Sequence, residues 1–464
     1  MANIEDIYEL SPMQQGMLFH TLYSPDSGVY LEQFNCVING DLDIDLFRKA
    51  WQNAVDHHHV LRTSFIWKEV DAPLQVVQKN ITLPWTYLDW SNISNDEQAQ
   101  KIETFLKEDR KQGFDLEQPP LMRCAAIRIT PNKHRFVWSN HHILMDGWSL
   151  PVLIRDVISS YERSLAGLSL EGFPTRHYRD YILWLQDQSA SEAEIFWRRT
   201  FEGFSGSTQL SFGSQSSIHE GEKYNYKKIN FSVELSDAIK SFARNYQLTV
   251  STIMQGAWGI LLNRYTGQND VVFGSTISGR PPDLAGSDKI VGLFINTVPV
   301  RTQFSPGISV RDWLGLFQEQ QVLLQKFGHV SLNKIQELAE LSAQVSLFDS
   351  IFVFENYPVD SSLREQEGSL SFTDVQVIEQ TNYPLTVVAN SSEQIGLGFS
   401  YDQSRFSDES IQRVLGHMQT VLDEITSDPD QLVSNLSLLS ATEKINILVD
   451  WTDTKVQYSD QHSD

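Results

Sequence analysis

The residues best suited to chemistry stand side by side. His141 and His142 are followed by Asp146, four positions after the second histidine, with Gly147 directly behind it. An imidazole whose ordinary pKa lies near neutrality can take or release a proton at physiological pH. An aspartate at this spacing can orient the ring, or it can pin the loop through a buried ion pair. The glycine permits a tight backbone path and can aim an N–H at developing oxyanion charge. Trp148 and Ser149 complete the segment. None of these jobs needs a metal.

The flanks show which elements must present this loop. Arg135-Phe136-Val137-Trp138 reads as a strand leading in. Ser149 is placed to cap a following helix, with Pro151 in its first turn and Val152, Ile154, Val157, Ile158 and Tyr161 at helical spacing. A strand-to-helix loop is where a rigid scaffold presents reactive side chains. Upstream, residues 31–39 read as a strand and 44–58 as a helix, while 121–129 and 135–140 suit a hairpin across Pro131-Asn132. Residues 201–222, rich in Gly, Ser and Gln, read as an exposed loop. A helix is then expected to open at Ser236, and a more apolar one to run from about Thr249 to Tyr265 and stop at Gly267. Strands are expected at 271–274, near 351–355 and at 395–401, and a helix from Ser407 to Ile425. Periodicity therefore gives two α/β halves, with a boundary near 177–185.

Other candidate motifs carry less. His57, His58 and His59 on a helix end point about 100° apart, so they do not converge on one ion. Gly396-Leu397-Gly398 begins a dinucleotide fingerprint that Tyr401 breaks. No phosphate-cradling loop, nucleophile elbow or Cys-x-x-Cys pair is present. Ser278-Gly279-Arg280-Pro281-Pro282 reads as a turn. At 464 residues the chain calls for two cores, and a net charge of −23 argues against nucleic acid or an anionic membrane as partner. Cys36 and Cys124 are isolated in apolar runs and suit buried free thiols in a reducing cytoplasm. Neither a signal peptide nor a membrane-spanning run is legible, so a cytoplasmic location is expected.

Several segments together resemble the condensation domain of non-ribosomal peptide synthetases. His141 to Gly147 fits the family's HHxxxDG motif, and Leu10-Ser11-Pro12-Met13-Gln14-Gln15-Gly16-Met17 is similar to its opening motif. His58-His59-Val60-Leu61-Arg62-Thr63-Ser64-Phe65 resembles the second, with His57 where arginine is usual, and Tyr178 to Trp184 the fourth. Val291 to Thr297 is similar to the VGxFVNT segment, and Ser346 to Ser350 leading into Phe354-Glu355-Asn356-Tyr357-Pro358 resembles a late motif.

The resemblance implies two chloramphenicol-acetyltransferase-like α/β lobes in a V-shaped pseudo-dimer around a central tunnel. The lobes are expected at 1–178 and 179–435, with 436–464 a linker toward a following adenylation domain. It implies amide-bond formation between a donor acyl or peptidyl thioester and the α-amine of an acceptor aminoacyl thioester. Both would ride on phosphopantetheine arms of peptidyl carrier proteins, with no cofactor or metal of the domain's own, in antibiotic-type secondary metabolism. The opening and late motifs look most like the type that joins an L-donor to an L-acceptor.

By the same resemblance His142 is the key residue, as general base or as positioning group. His141 shapes the loop, Gly147 offers an oxyanion N–H, Asp146 pairs with Arg280, and Arg62 helps hold the loop. Trp148, Ser149 and Asn296 are implied to line the tunnel. An epimerisation domain, a free acyltransferase using coenzyme A and a catalytically silent carrier-docking module are the alternatives. Trp148 before Ser149 and Leu150 favours condensation over epimerisation. The chain contains no Gly-Gly-x-Ser carrier attachment site and no adenylation motif, as expected of one piece of a larger assembly.

Overall fold

The computed structural model describes residues 3–445 apart from 26, 171–175, 205, 211–223, 341–345 and 356–369. The strand Leu31–Asn39 is the spine of the first half, and all but its last residue are buried. It pairs antiparallel with Lys133–His141 from Leu31↔His141 to Asn39↔Lys133. That strand forms the expected hairpin with Met122–Thr130, and Trp85–Asp89 adds a parallel edge. The helices Ile44–His57 and Leu150–Leu165 cover one face. They are tied where His58 Nε2 meets Asp156 Oδ2 at 3.2 Å and Asn53 donates to Ser160 Oγ at 3.0 Å.

The fifth strand of this sheet comes from far along the chain. Ser371–Ile378 pairs antiparallel with Leu31–Asn39, placing Ile378 opposite Gln33. Arg135 Nη2 donates to Asp374 Oδ2 at 2.6 Å, and Asn39 Nδ2 to Thr373 Oγ1 at 3.1 Å. This crossing strand was not expected from the sequence.

The second half is built on six strands in the order Asn296–Gln303, Asp270–Ile277, Ser350–Glu355, Leu385–Ser391, Ile395–Asp402, Tyr224–Asn230. The apolar helix Val250–Thr266 runs between Thr249, whose side chain accepts the Thr252 N–H, and Gly267 in the left-handed region at φ 68°. The preceding helix spans Val233–Asn245 with Ser232 as its cap. The expected start at Ser236 was one turn late, because Ser236 is buried and its Oγ accepts the Ile395 N–H at 3.0 Å.

Two cores result, and neither is contiguous in sequence. The first takes Tyr178, Tyr181, Ile182, residues 290–291 and 293–295, Leu370 and Phe372 besides the first half. A single cut at 178/179 therefore leaves Tyr181 and Ile182 on the wrong side. The second core includes Leu436, and Glu443 in the helix Ala441–Ile445 meets His417 at 3.0 Å, so the stretch 436–445 packs on the second lobe. The expected linker beyond it, most of the 201–222 loop, and Asn356-Tyr357-Pro358 lie outside the described residues. Among the described residues no helix is long and apolar enough to cross a membrane.

Candidate active site

The strand Lys133–His141 ends on the first histidine. The next backbone amide, that of His142, donates to the Tyr30 carbonyl at 2.8 Å, so the loop leaves the sheet while still bonded to it. Ile143, Leu144 and Met145 are buried in the first core and anchor the loop by apolar packing. Asp146 then caps the short turn Gly147–Ser149, its Oδ1 accepting the Ser149 N–H at 3.1 Å.

The two histidines differ in protonation because their partners differ. His141 Nδ1 accepts the Ile143 N–H at 3.1 Å, so its hydrogen sits on Nε2, 3.1 Å from Thr21 Oγ1. Burial, with the neighbouring His142 charge, pushes His141 down to about 3, and it is a neutral strut. His142 faces only acceptors. Its Nδ1 lies 2.8 Å from the Met145 carbonyl and 3.0 Å from Glu32 Oε1, while Nε2 lies 3.4 Å from Glu379 Oε1. Burial opposes charge on this ring, but the two carboxylates outweigh it and push His142 up to about 10. Burial raises Glu32 to about 7 against the pull of His142, and its other oxygen accepts from Asn140 Nδ2 at 2.7 Å. For Glu379 the His142 charge prevails over desolvation and holds the carboxyl below its ordinary value. The three facing atoms lie within 4.8 Å of one another, close enough for a bound cation. Nδ1 turns its hydrogen to the Met145 carbonyl, and the two carboxylates favour a second proton on Nε2.

Glu32 and Glu379 were not singled out from the sequence. Glu32 carried a usable signal, a carboxylate inside a run that otherwise reads as a buried strand. Glu379 carried none, since it reaches the site only through the pairing of the crossing strand. Tyr30 joins the two. It sits at φ 64°, a conformation that costs an L-residue roughly 1–3 kcal/mol unless its surroundings hold it. Its N–H donates to the Gln380 carbonyl at 2.9 Å and its hydroxyl to Asn382 Oδ1 at 2.7 Å.

Behind the loop, the structure brings Asp146 and Arg280 together across the two lobes. Arg280 Nη2 donates to Asp146 Oδ1 at 3.1 Å and to Ser149 Oγ at 3.0 Å, and its guanidinium stacks 4.2 Å from the Phe294 ring. Asp146 Oδ2 accepts the Phe294 N–H at 2.8 Å, and the Asp146 N–H donates to the Gly292 carbonyl at 3.1 Å. Ser149 is wholly buried in this network, its hydroxyl donating to the Gly292 carbonyl at 2.9 Å and accepting the Gly292 N–H at 3.1 Å. It neither lines a tunnel nor caps the next helix through its side chain. Tyr178 and Tyr181 hold the same segment, donating to the carbonyls of Leu293 at 2.5 Å and Phe294 at 3.3 Å. Four segments read separately in the sequence thus meet in one seam.

The remaining expected residues lie elsewhere. Arg62 does not reach the loop. It donates to Glu5 Oε2 at 2.6 Å, to the Gln78 carbonyl at 2.5 Å and to the Val55 carbonyl at 3.0 Å, tying the strand Ile4–Glu9 to its own lobe. Asn296 spends its amide on the carbonyls of Gly328 at 2.7 Å and Val330 at 2.8 Å, clamping a loop of the second lobe and not projecting into a passage. Gly147 and Trp148 are half-buried at the turn. His58 and His59 diverge, as adjacent residues at a helix end should, His58 meeting Asp156. His59 stacks on His177 at 3.7 Å between ring centroids. A surface hollow of about 1020 Å³ between the helices Ala190–Phe201 and Val310–Phe327 contains none of the motif residues.

The family model for the condensation domain matches residues 4–448. A linear gramicidin synthase protein of Brevibacillus parabrevis is 42% identical over 460 residues, covering 99% of this chain and 9% of that protein. Bacitracin synthase 3 of Bacillus licheniformis is 35% identical over 462 residues, covering 99% of this chain and 7% of that protein. The chain therefore spans less than a tenth of the length of these relatives. Among solved structures, a variant of the starter condensation domain of rhizomide synthetase in complex with C8-CoA superposes with a TM-score of 0.78 at 20% identity, covering 93% of this chain and 98% of that one. A four-domain nonribosomal peptide synthetase bound to AMP and glycine gives 0.79 at 18% identity, covering 94% of this chain and 34% of that one. The architecture is that of two chloramphenicol-acetyltransferase-like lobes. The chain belongs to the condensation-domain family.

Proposed function

We propose that this chain forms an amide bond between two carrier-tethered groups. A donor acyl or peptidyl thioester and an acceptor aminoacyl thioester meet at His142, each on the phosphopantetheine arm of a peptidyl carrier protein. The acceptor amine attacks the donor carbonyl, and the chain passes to the acceptor carrier. The observation that carries this reading is the placement of His142. A buried, polar-lined histidine sits on a fixed loop at the seam of the two lobes, where segments of both converge.

The chemistry asks little acid assistance of the protein. A thiol with an ordinary pKa near about 8.5 leaves readily as thiolate, and an α-amine near about 7.7–8.0 is substantially neutral at working pH. Holding two tethered reactants together then supplies much of the rate. Gly147 offers a backbone N–H for the oxyanion, and Trp148 flanks the approach. Asp146, Arg280 and Ser149 hold the loop and take no proton. An adenylation domain downstream would supply the acceptor.

The test is to mix the protein with a donor-loaded and an acceptor-loaded carrier and follow the condensed product by intact mass spectrometry. His142→Ala is expected to lower turnover at least about 100-fold while leaving carrier binding unchanged. Equal product from both proteins would reduce His142 to a bystander. Exchange of the tethered residue's α-hydrogen for solvent deuterium without amide product would instead identify an epimerase.

A further inference from the structure

Resting on the reading of an amide-forming site, the geometry points to Glu379 as the group that takes the amine's proton, with His142 serving as a fixed cation and not as the base. His142 has no nitrogen free to accept. Nδ1 faces the Met145 carbonyl at 2.8 Å and Glu32 at 3.0 Å, and Nε2 faces Glu379 at 3.4 Å. A ring flanked by a carbonyl and two carboxylates is favoured as the cation, which donates from both nitrogens.

The two carboxylates are not equivalent. Glu32 is 12% exposed and committed through both oxygens, to Asn140 at 2.7 Å and to His142. Glu379 is 34% exposed and meets His142 through Oε1 alone, which makes it the more accessible carboxylate of the two. The groups facing His142 are Glu32 from the strand Leu31–Asn39, Glu379 at the end of the crossing strand, and His141 and the Met145 carbonyl of its own loop. The helix Pro12–Tyr23 contributes Thr21, bonded to His141, and His20, 3.2 Å from Asn382. His20 is pushed down by burial, so it adds no competing cation near neutrality.

The step balances as follows. The amine lone pair bonds to the donor carbonyl carbon, and the C=O π pair moves onto oxygen. The proton on the new ammonium passes to a Glu379 oxygen. The oxyanion pair re-forms the carbonyl, the C–S bond breaks with its electrons going to sulfur, and Glu379 returns the proton to the thiolate. His142 keeps both N–H hydrogens throughout, and its charge stabilises the oxyanion. The carboxylate is the weaker base and holds the proton only in passing, while a thiolate with an ordinary thiol pKa near about 8.5 recovers it downhill.

Two arms test this on the whole chain. In the first, ¹⁵N-histidine NMR of the wild type, with His142 assigned by difference from His142→Ala, should show both His142 nitrogens protonated at pH 8. A ring that titrates to neutral between pH 6 and 8 would overturn the fixed cation, whatever the catalytic result. In the second, loaded carriers are condensed by Glu379→Gln and Glu379→Ala. Turnover should fall at least about 100-fold in both without loss of melting temperature or carrier binding, and added formate should restore part of it in Glu379→Ala only. Turnover of Glu379→Gln within tenfold of wild type, or a formate response equal in both variants, would overturn the role of Glu379 while leaving amide formation intact. If the wild type makes no amide with any loaded pair, the functional reading falls and this proton path falls with it, while the NMR arm still decides the charge of His142.

Discussion

At the scale of single residues, the ion pair of Asp146 and Arg280 is where a substitution should be felt most. Asp146 is inaccessible to solvent and Arg280 nearly so, so removing either leaves a buried charge uncompensated. Such a loss costs about 3–5 kcal/mol, whereas the intact pair contributes little net stability over an apolar replacement. Asp146→Ala and Arg280→Ala should each lower the melting temperature clearly. The double variant should lose much less than the sum of the two, as a thermal double-mutant cycle would reveal. Strict additivity would mean the two side chains do not interact in solution. The pair was legible in the sequence only through the family resemblance, because a turn containing Arg280 carries no local sign of its partner. The paired histidines were legible directly, as two imidazoles followed at a fixed interval by an acid and a glycine. Their opposite protonation was not, since it depends on a backbone amide for His141 and on two distant carboxylates for His142.

At the scale of elements, the segment 290–295 and the crossing strand decide how the halves fit. A Cβ at Gly292 would lie 2.2 Å from Tyr178 Cδ2, a ring that cannot retreat because its hydroxyl is bonded to the Leu293 carbonyl. Gly292→Ala should therefore cost a large part of the fold's stability. Gly315→Ala, in the helix Val310–Phe327 with nothing within 4 Å of the added methyl, should be neutral or gain up to about 1 kcal/mol. Parallel thermal melts of the two variants check this. Strand 351–355 could be read from its continuous apolar run, and 31–39 and 395–401 from apolar and aromatic residues recurring between turn residues. Ser371–Ile378 could not. Most of its residues are exposed, Phe372 being the one that is buried, and no local pattern says that its sheet belongs to the other half.

At the scale of the whole molecule, buried and half-buried histidines make stability depend on pH. His59, desolvated and beside His177 and Arg62, is pushed down to about 4, and His141 to about 3. In the unfolded chain both bind protons near their ordinary value of about 6.5, so the unfolded state holds more protons between there and pH 4. These two histidines lower stability as the pH drops through that window, and Glu32, raised by burial to about 7, opposes them there without offsetting both. His142 works in the opposite sense, its contribution complete below about 6.5 and lost as the pH rises through about 10. Melting temperatures recorded from pH 7 to pH 4.5 should decline, and the decline should be shallower in His59→Gln. Identical slopes for the two proteins would remove His59 from the account. Two α/β halves were readable from periodicity, but not that the first half borrows pieces from the second half's stretch of sequence.

That borrowing has a practical consequence for recombining such chains. If a block from 179 to 435 were exchanged with that of a relative, the crossing strand would travel with the incoming block, although it completes the sheet of the resident lobe. The hybrid would then place a foreign Ile378 opposite Gln33, a foreign Asp374 beside Arg135 and a foreign carboxylate against His142. The heritable unit that keeps one lobe whole is discontinuous. It consists of the first half together with the strip around 370–382 and the segment 290–295, and crossovers drawn to respect it should give soluble hybrids where a single cut fails.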